Sequence, residues 1–388
     1  MAMMFATMAF SIDSMLPALP AIAADMSPSD PNRAQLIVTS FIFGMGIGTL
    51  FTGPISDSVG RKPVIIGGGV VYCIGALMAA RATTLETVLL ARALMGLGAA
   101  GPRVVVLAII RDLYKGRAMA QTMSFIMTVF TIVPAIAPSI GAVIIAFSGW
   151  DGLFYACMIF SLITMLWLGL RQPETLPTER RTPLRFGPIF AATRELVGNA
   201  LVMRATLIQS LIAACMFAMI SSTQQVFDIT FDRGDSFPLW FGGVAIFTAM
   251  GTFANARLVM KLGMRKIVNL VLGMELVLSG IMMLVTLAGL WPEWLAFPAF
   301  VIWMASVFFT IALGMGNMNA LAMEPVGHIA GMAASLIGCA STVLGVGLAV
   351  PVGLMFNGTI LPLSIGLFIF SALAVAILRT INDPLKDA

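Results

Sequence analysis

Gly53-Pro-Ile-Ser-Asp57-Ser-Val-Gly60-Arg61-Lys62 is a short polar turn between two apolar runs, residues 33–57 and 63–81. A bilayer hydrocarbon core about 30 Å thick needs roughly 20 apolar residues of helix to cross it. Both runs are long enough, and so few residues join them that no soluble domain fits between. The same chemistry returns as Leu262-Gly263-Met264-Arg265-Lys266, with Gly263 lying 203 positions after Gly60. A turn repeated at half the chain length points to two similar halves, the way many secondary transporters are built.

Working outward, the composition fits this reading. Of 388 residues, 59% are hydrophobic and only 10% charged, and the mean hydropathy is +1.00. A soluble domain usually carries about a quarter charged residues, so the bilayer is the solvent here. Apolar runs bounded by charge, Gly or Pro place twelve spans near 1–24, 33–57, 63–81, 85–112, 117–147, 151–170, 201–228, 236–261, 266–289, 294–322, 329–353 and 359–379. The expected class is therefore an all-α integral membrane protein. Its expected domains are a six-helix bundle over 1–170, a linker over 171–200 rich in Pro, Arg and Glu, and a second six-helix bundle over 201–388. Residues 1–20 carry Asp13 mid-stretch and no basic start, so they read as a span rather than a signal peptide. Entry into the membrane so early suggests a missing or trimmed cytoplasmic leader.

Seventeen of the 22 basic residues, counting Arg61, Arg111, Arg180, Arg265, Arg379 and Lys386 among them, fall in alternate loops and the tail. Three, Arg33, Arg81 and Arg233, fall on the opposite side, and Arg92 and Arg103 lie within a span. The positive-inside rule then expects both termini and the linker in the cytoplasm. The net charge of +4 is accounted for by these loops and gives no reason to expect nucleic acid. Four scattered cysteines form no C-x-x-C pair, and no Walker loop, G-x-S-x-G elbow or H-E-x-x-H is present. Neither cofactor, metal nor enzymatic activity is expected.

Inside the spans, ionisable side chains are expensive and mark candidate function. Asp13 lies about 16 Å from the outer end of its helix, near mid-depth, so it must face a cavity, pair with a cation or stay protonated. It is the first candidate for proton coupling. Arg92 and Arg103 are 11 residues apart on the fourth span, about 20° from eclipsed, so one stripe would carry both. Either binds substrate, or Arg92 is a structural pair with a backbone carbonyl or a fixed acid and Arg103 snorkels toward the cytoplasm. Glu275, in the ninth span, is the second proton-coupling candidate, with a structural pair or a lipid-side snorkel the alternatives. Asp57, Arg61 and Asp112 suggest an inner gate, with Arg61 pairing to Asp112. Pro134, Pro138 and Gly141 remove donors and bulk from the fifth span and are expected to kink it. His328 falls in a loop and is not expected to carry the proton.

Gly53 to Lys62 fits the G-x-x-x-D-x-x-G-R-K pattern of the major facilitator superfamily. Three further segments narrow it: Ser11-Ile-Asp13-Ser-Met-Leu-Pro17-Ala-Leu-Pro20, Arg92-Ala-Leu-Met-Gly96-Leu-Gly98-Ala-Ala, and Val133-Pro134-Ala-Ile-Ala-Pro138-Ser-Ile-Gly141. With Glu174-Thr-Leu-Pro177, Asn319, Gly331 and Ala333-Ala-Ser-Leu336, the chain resembles the bicyclomycin-resistance (Bcr/CflA-type) branch of the drug:proton antiporters. The resemblance implies two bundles rocking about a central cavity, proton-driven export of drug-like molecules, a bacterial inner membrane and a monomer. It also implies gating by Gly53, Asp57, Gly60 and Arg61, and an exporter role for the Pro134–Gly141 motif. Arg103 and the run Ser221-Ser-Thr-Gln224-Gln225 depart from those relatives where substrate would bind, so Gln224, Gln225 and Asn319 join the substrate candidates. Uptake or export of an anionic metabolite, or a non-transporting receptor or scramblase, remain the alternatives.

Overall fold

The computed structural model describes residues 1–184 and 186–381; Arg185 and Lys386, counted above among the basic residues, lie outside them. All of the regular structure is helical, with no strand among the described residues. Among the described residues, ten apolar helical stretches are long enough to cross a membrane. Two of these, Gly116–Arg171 with 56 residues and Glu293–Leu354 with 62, would extend about 84 and 93 Å if straight. Each is about three bilayer thicknesses, so each must hold two crossings. The first breaks at Gly149, whose φ of 73° is left-handed, giving spans over 116–148 and 150–171. The second breaks at the turn Glu324–Ile329, giving Glu293–Met323 and Ala330–Leu354. Twelve spans result, the others being Ala2–Met26, Pro31–Val59, Arg61–Ala80, Leu85–Leu113, Ala200–Thr230, Gly234–Leu262, Met264–Leu287 and Leu361–Arg379.

Helix is the only open-ended answer to burying a backbone in hydrocarbon, because every N–H and C=O must find a partner within its own segment. Helix ends are therefore where special residues sit. Gly60, with φ 115°, ends the second span and begins the third in a single residue, a conformation L side chains rarely adopt. Thr84 caps the fourth span by accepting from Thr87 N, and Asn199 caps the seventh by accepting from Leu201 N and Val202 N. Large apolar side chains such as Phe147, Leu170, Leu239, Met260 and Trp294 are exposed, as expected where lipid is the solvent.

The chain falls into two compact units, Met1–Phe186 with Arg233–Ile246, and Gly187–Asp232 with Phe247–Ala388. In the first, the fourth span packs along the second and third; in the second, the tenth packs along the ninth and the seventh along the eleventh. Two elements differ from the sequence reading. The 171–200 segment, expected as a plain linker, contains the helix Phe186–Gly198. The first span is also not one helix. It runs Ala2–Asp13, then a turn through Leu16–Ala18, then Leu19–Met26, because Pro17 cannot supply the amide that the Asp13 carbonyl would accept.

Candidate functional site

Asp13 is the last residue of the first helical segment and is only 6% exposed. Its carboxyl has no hydrogen-bond or ion-pair partner among the described residues. A carboxyl buried beside broken helix, with no cation against it, is costly when ionised and cheap when protonated. The neighbouring polar groups are already engaged. Ser11 shares a hydrogen bond with the Tyr72 hydroxyl, and Ser14 Oγ donates to the Phe10 carbonyl at 2.5 Å.

Arg92 does not neutralise Asp13. Its side chain is fully buried; Nε donates to the Ile37 carbonyl at 3.1 Å and Nη2 to the Ser11 carbonyl at 3.0 Å. The guanidinium lies 4.4 Å from the centre of the Phe41 ring. Arg92 thus ties the first, second and fourth spans together, which is the structural alternative stated above. Arg103 is half-buried and has no partner among the described residues. The shared stripe on the fourth span does not bring either arginine to Asp13.

On the fifth span the helix continues through Pro134 and Pro138, with no non-helical backbone before Gly149. Pro134, Pro138 and Gly141 stand at i, i+4 and i+7, hence on one face. A Cβ at Gly141 would strike the Ser14 carbonyl. The fifth span therefore rests directly on the break of the first, one residue from Asp13.

At the membrane face bearing most of the arginines, a second cluster is built around Arg61, which is 5% exposed. Its Nη1 donates to Ser56 Oγ at 2.7 Å and to Asp57 Oδ1 at 2.5 Å, and its Nε donates to Asp112 Oδ2 at 3.2 Å. Ser56 Oγ in turn donates to the Gly53 carbonyl. The expected Arg61–Asp112 pair is present. Sequence reasoning took Glu174 only as part of the Glu174–Pro177 resemblance and missed its contacts; its carboxylate accepts from the backbone N–H groups of Arg61 and Lys62 at 2.9 and 3.0 Å. It also accepts from Thr175 N and Leu176 N, both at 2.9 Å. An acid on the free amides of a helix start is favoured by the helix dipole as well. A Cβ at Gly60 would meet Glu174 Oε2 at 2.6 Å, so the glycine is needed for the carboxylate to approach.

Partial burial of Glu174 works to raise its pKa, but its backbone bonds outweigh that and hold the carboxyl below the usual glutamate range. A depressed carboxyl contributes stability above its ordinary value and loses it as pH falls through the lowered one. The clamp should thus persist across neutral and mildly acid pH. The linker beyond it is also tied down, since Thr182 N donates to the Asp57 carbonyl at 3.0 Å. Glu174→Ala is expected to free this segment, so that trypsin cleaves at Arg180 and Arg181 several-fold faster than in the native protein. Equal cleavage rates would show that Glu174 does not hold the linker.

In the second unit Glu275 is 1% exposed and fully engaged. It accepts from Ser279 Oγ at 2.7 Å, Trp303 Nε1 at 3.0 Å and Ser306 Oγ at 3.0 Å, joining the ninth and tenth spans. On the seventh span, Gln224 and Gln225 are buried, and the Gln224 Oε1 has no partner among the described residues. The helix there widens into a π turn over Val226–Thr230, a feature often found at functional sites. Asn319 is exposed, whereas Asn317 is buried and donates to Asn255 Oδ1 at 2.8 Å. His328 pairs with Glu195 Oε1 at 3.0 Å.

The model of the Major Facilitator Superfamily matches residues 1–350. The chain belongs to the major facilitator superfamily. Among its major facilitator relatives is a protein of Haemophilus influenzae named bicyclomycin resistance protein homolog, 31% identical over 340 residues that cover 87% of this chain and 83% of that protein. Another is the multidrug resistance protein MdtL of Salmonella typhi, 32% identical over 225 residues, 58% of this chain and 56% of that one. A crystal structure of a D-xylose–proton symporter superposes with a TM-score of 0.79 at 14% identity, covering 100% of this chain and 98% of that one. That likeness is one of major facilitator fold alone. The molecule is thus a multi-pass membrane transporter of small molecules.

Proposed function

We propose that this transporter exports small amphipathic, drug-like molecules in exchange for protons. It works as a monomer by alternating access in a bacterial inner membrane, with both termini cytoplasmic. The observation that carries this is Asp13, a buried carboxyl at a break in a membrane helix with no cation beside it among the described residues. Protonation removes most of the cost of burying it, and a cationic substrate would remove the same cost by pairing with it. Proton and substrate then exclude each other, and exclusion at one site produces exchange when the bundles rock only with one ligand bound. Discontinuous helices at mid-depth are where such sites are usually built. The names of the two relatives support a drug-like substrate, and the arginine bias supports the orientation. Gln224, Gln225 and Asn319 are proposed to contact substrate, and the Arg61 clamp, with Gly53, Asp57, Gly60 and Asp112, to steady the inner gate.

The half-buried Arg103, without a partner among the described residues, favours a second reading in which the substrate carries a carboxylate. A panel of cationic and anionic amphipaths, tested for proton release from proteoliposomes carrying an internal pH dye, separates the two. Exchange is expected with cationic compounds. Proton movement only with anionic compounds would favour the second reading, and none with either class would remove coupling altogether.

A further inference from the structure

The helix Phe186–Gly198 ends one residue before the seventh span, whose first turn is capped by Asn199. A single residue allows about 3.8 Å of reach. The helix is therefore held at the level of the membrane surface. At 100° per residue, Phe190, Val197 and Arg194 fall within an arc of about 60°, and Ala192 and Leu196 on the opposite side. Exposure follows that division: Ala192 and Leu196 are 3% and 6% exposed, while Phe190 and Val197 are 74% and 61% exposed. One face is spent on packing, and the other presents two large apolar side chains beside an arginine. The acid on the helix, Glu195, is turned to His328 at 3.0 Å, whereas Arg194 has no partner among the described residues.

We propose that the helix Phe186–Gly198 lies in the cytoplasmic interface of the bilayer, with Phe190 and Val197 among the acyl chains and Arg194 on anionic lipid headgroups. Three observations select lipid as the occupant. The covalent tether fixes the depth. Apolar side chains flanking a cation are the pattern of an interfacial helix. The membrane face of this unit that carries the helix also bears Arg204, Lys261, Lys266 and Arg379, against Glu195 and Glu324 among the described residues, so the field there attracts an anionic leaflet. The leaflet's identity rests on the orientation proposed above; contact with a bilayer does not.

The test uses the full chain with its four cysteines replaced, and NBD attached through Val197→Cys or, separately, Glu195→Cys. Each is placed in nanodiscs of phosphatidylcholine containing a lipid spin-labelled near the headgroup. The Val197 site is expected to be quenched by the spin-labelled lipid and shielded from aqueous iodide, and the Glu195 site the reverse. Equal iodide quenching at both sites would overturn the interfacial placement. Replacing part of the lipid with phosphatidylglycerol should blue-shift the Val197 label further, free inorganic phosphate should not, and Arg194→Gln should abolish the lipid effect. A phosphatidylglycerol shift that survives Arg194→Gln, or a matching shift with free phosphate, would overturn the headgroup assignment. No transport is measured, so failure here is distinct from failure of the exporter reading.

Discussion

Asp13→Asn is expected to abolish transport driven by a pH gradient while leaving the protein folded and inserted. Asparagine keeps the shape of the side chain but cannot bind or release a proton over any accessible pH. Aspartate at this position makes no hydrogen bond or ion pair among the described residues, so the substitution removes no partner. It also removes the cost of an acid buried among apolar groups, and the thermal midpoint should be unchanged or slightly raised. Arg92 keeps both carbonyl acceptors, since neither involves the Asp13 side chain. In proteoliposomes, exchange of labelled for unlabelled substrate across the membrane needs no proton and should survive for neutral compounds. Accumulation against a pH gradient should fall to background. If Asp13→Asn still accumulates substrate at the native rate, coupling lies elsewhere. Glu275 would then be examined next through Glu275→Gln, whose single amide oxygen keeps the acceptor for Trp303 Nε1 while its amide nitrogen replaces the acceptor of Ser306 Oγ, and which cannot titrate.

Much of the architecture was legible because membrane constraints act residue by residue. Span number follows from apolar length, and the Gly60 and Gly263 turns are visible as glycine before paired basic residues. The Arg61–Asp112 pair was legible too, since both residues lie at helix ends on one membrane face. Arg92 was harder. Its acceptors are the carbonyls of Ile37 and Ser11, and backbone groups leave no mark in a sequence. Glu174 was hidden for a related reason. It binds four amides rather than a cation, so a search for opposite charges passes over it. The helix Phe186–Gly198 was obscured by the prolines and arginines around it, although Ile189, Ala192 and Leu196 show helical spacing. Asn317 was overlooked beside Asn319, which is 200° away on the same helix; choosing between them needs the position of Asn255.

Gly96→Val is expected to unfold or fail to assemble the first unit. A Cβ at Gly96 would fall on the Phe41 carbonyl, and would lie 2.8 Å from Met45 N. Those are backbone atoms of the second span, so no rotamer change relieves the clash. The seam is reciprocal, since a Cβ at Gly44 would strike the Ala93 carbonyl and one at Gly48 would lie 2.6 Å from the Ala100 Cβ. Small residues facing each other let membrane helices approach until van der Waals contact holds them. Overpacking usually costs about 1–3 kcal/mol, and a Cβ driven against backbone belongs at the upper end or beyond, about 3 kcal/mol or more. Gly96 also lies one turn from Arg92, and Phe41 one turn from Ile37. Pushing Phe41 away would draw the Ile37 carbonyl from Arg92 Nε and the ring from its guanidinium. A buried arginine stripped of those contacts costs more than the clash alone. Gly96→Ala, with one methyl, should lower the thermal midpoint and slow transport without preventing assembly. Gly101→Ala on the same helix is the control, because its Cβ would come no closer than 3.5 Å to Val64 O. Size-exclusion profiles and thermal midpoints of the three variants should rank Gly101→Ala near native, Gly96→Ala below it and Gly96→Val aggregated. A native profile for Gly96→Val would mean that the second and fourth spans can part without cost, and that Arg92 is not held by their contact.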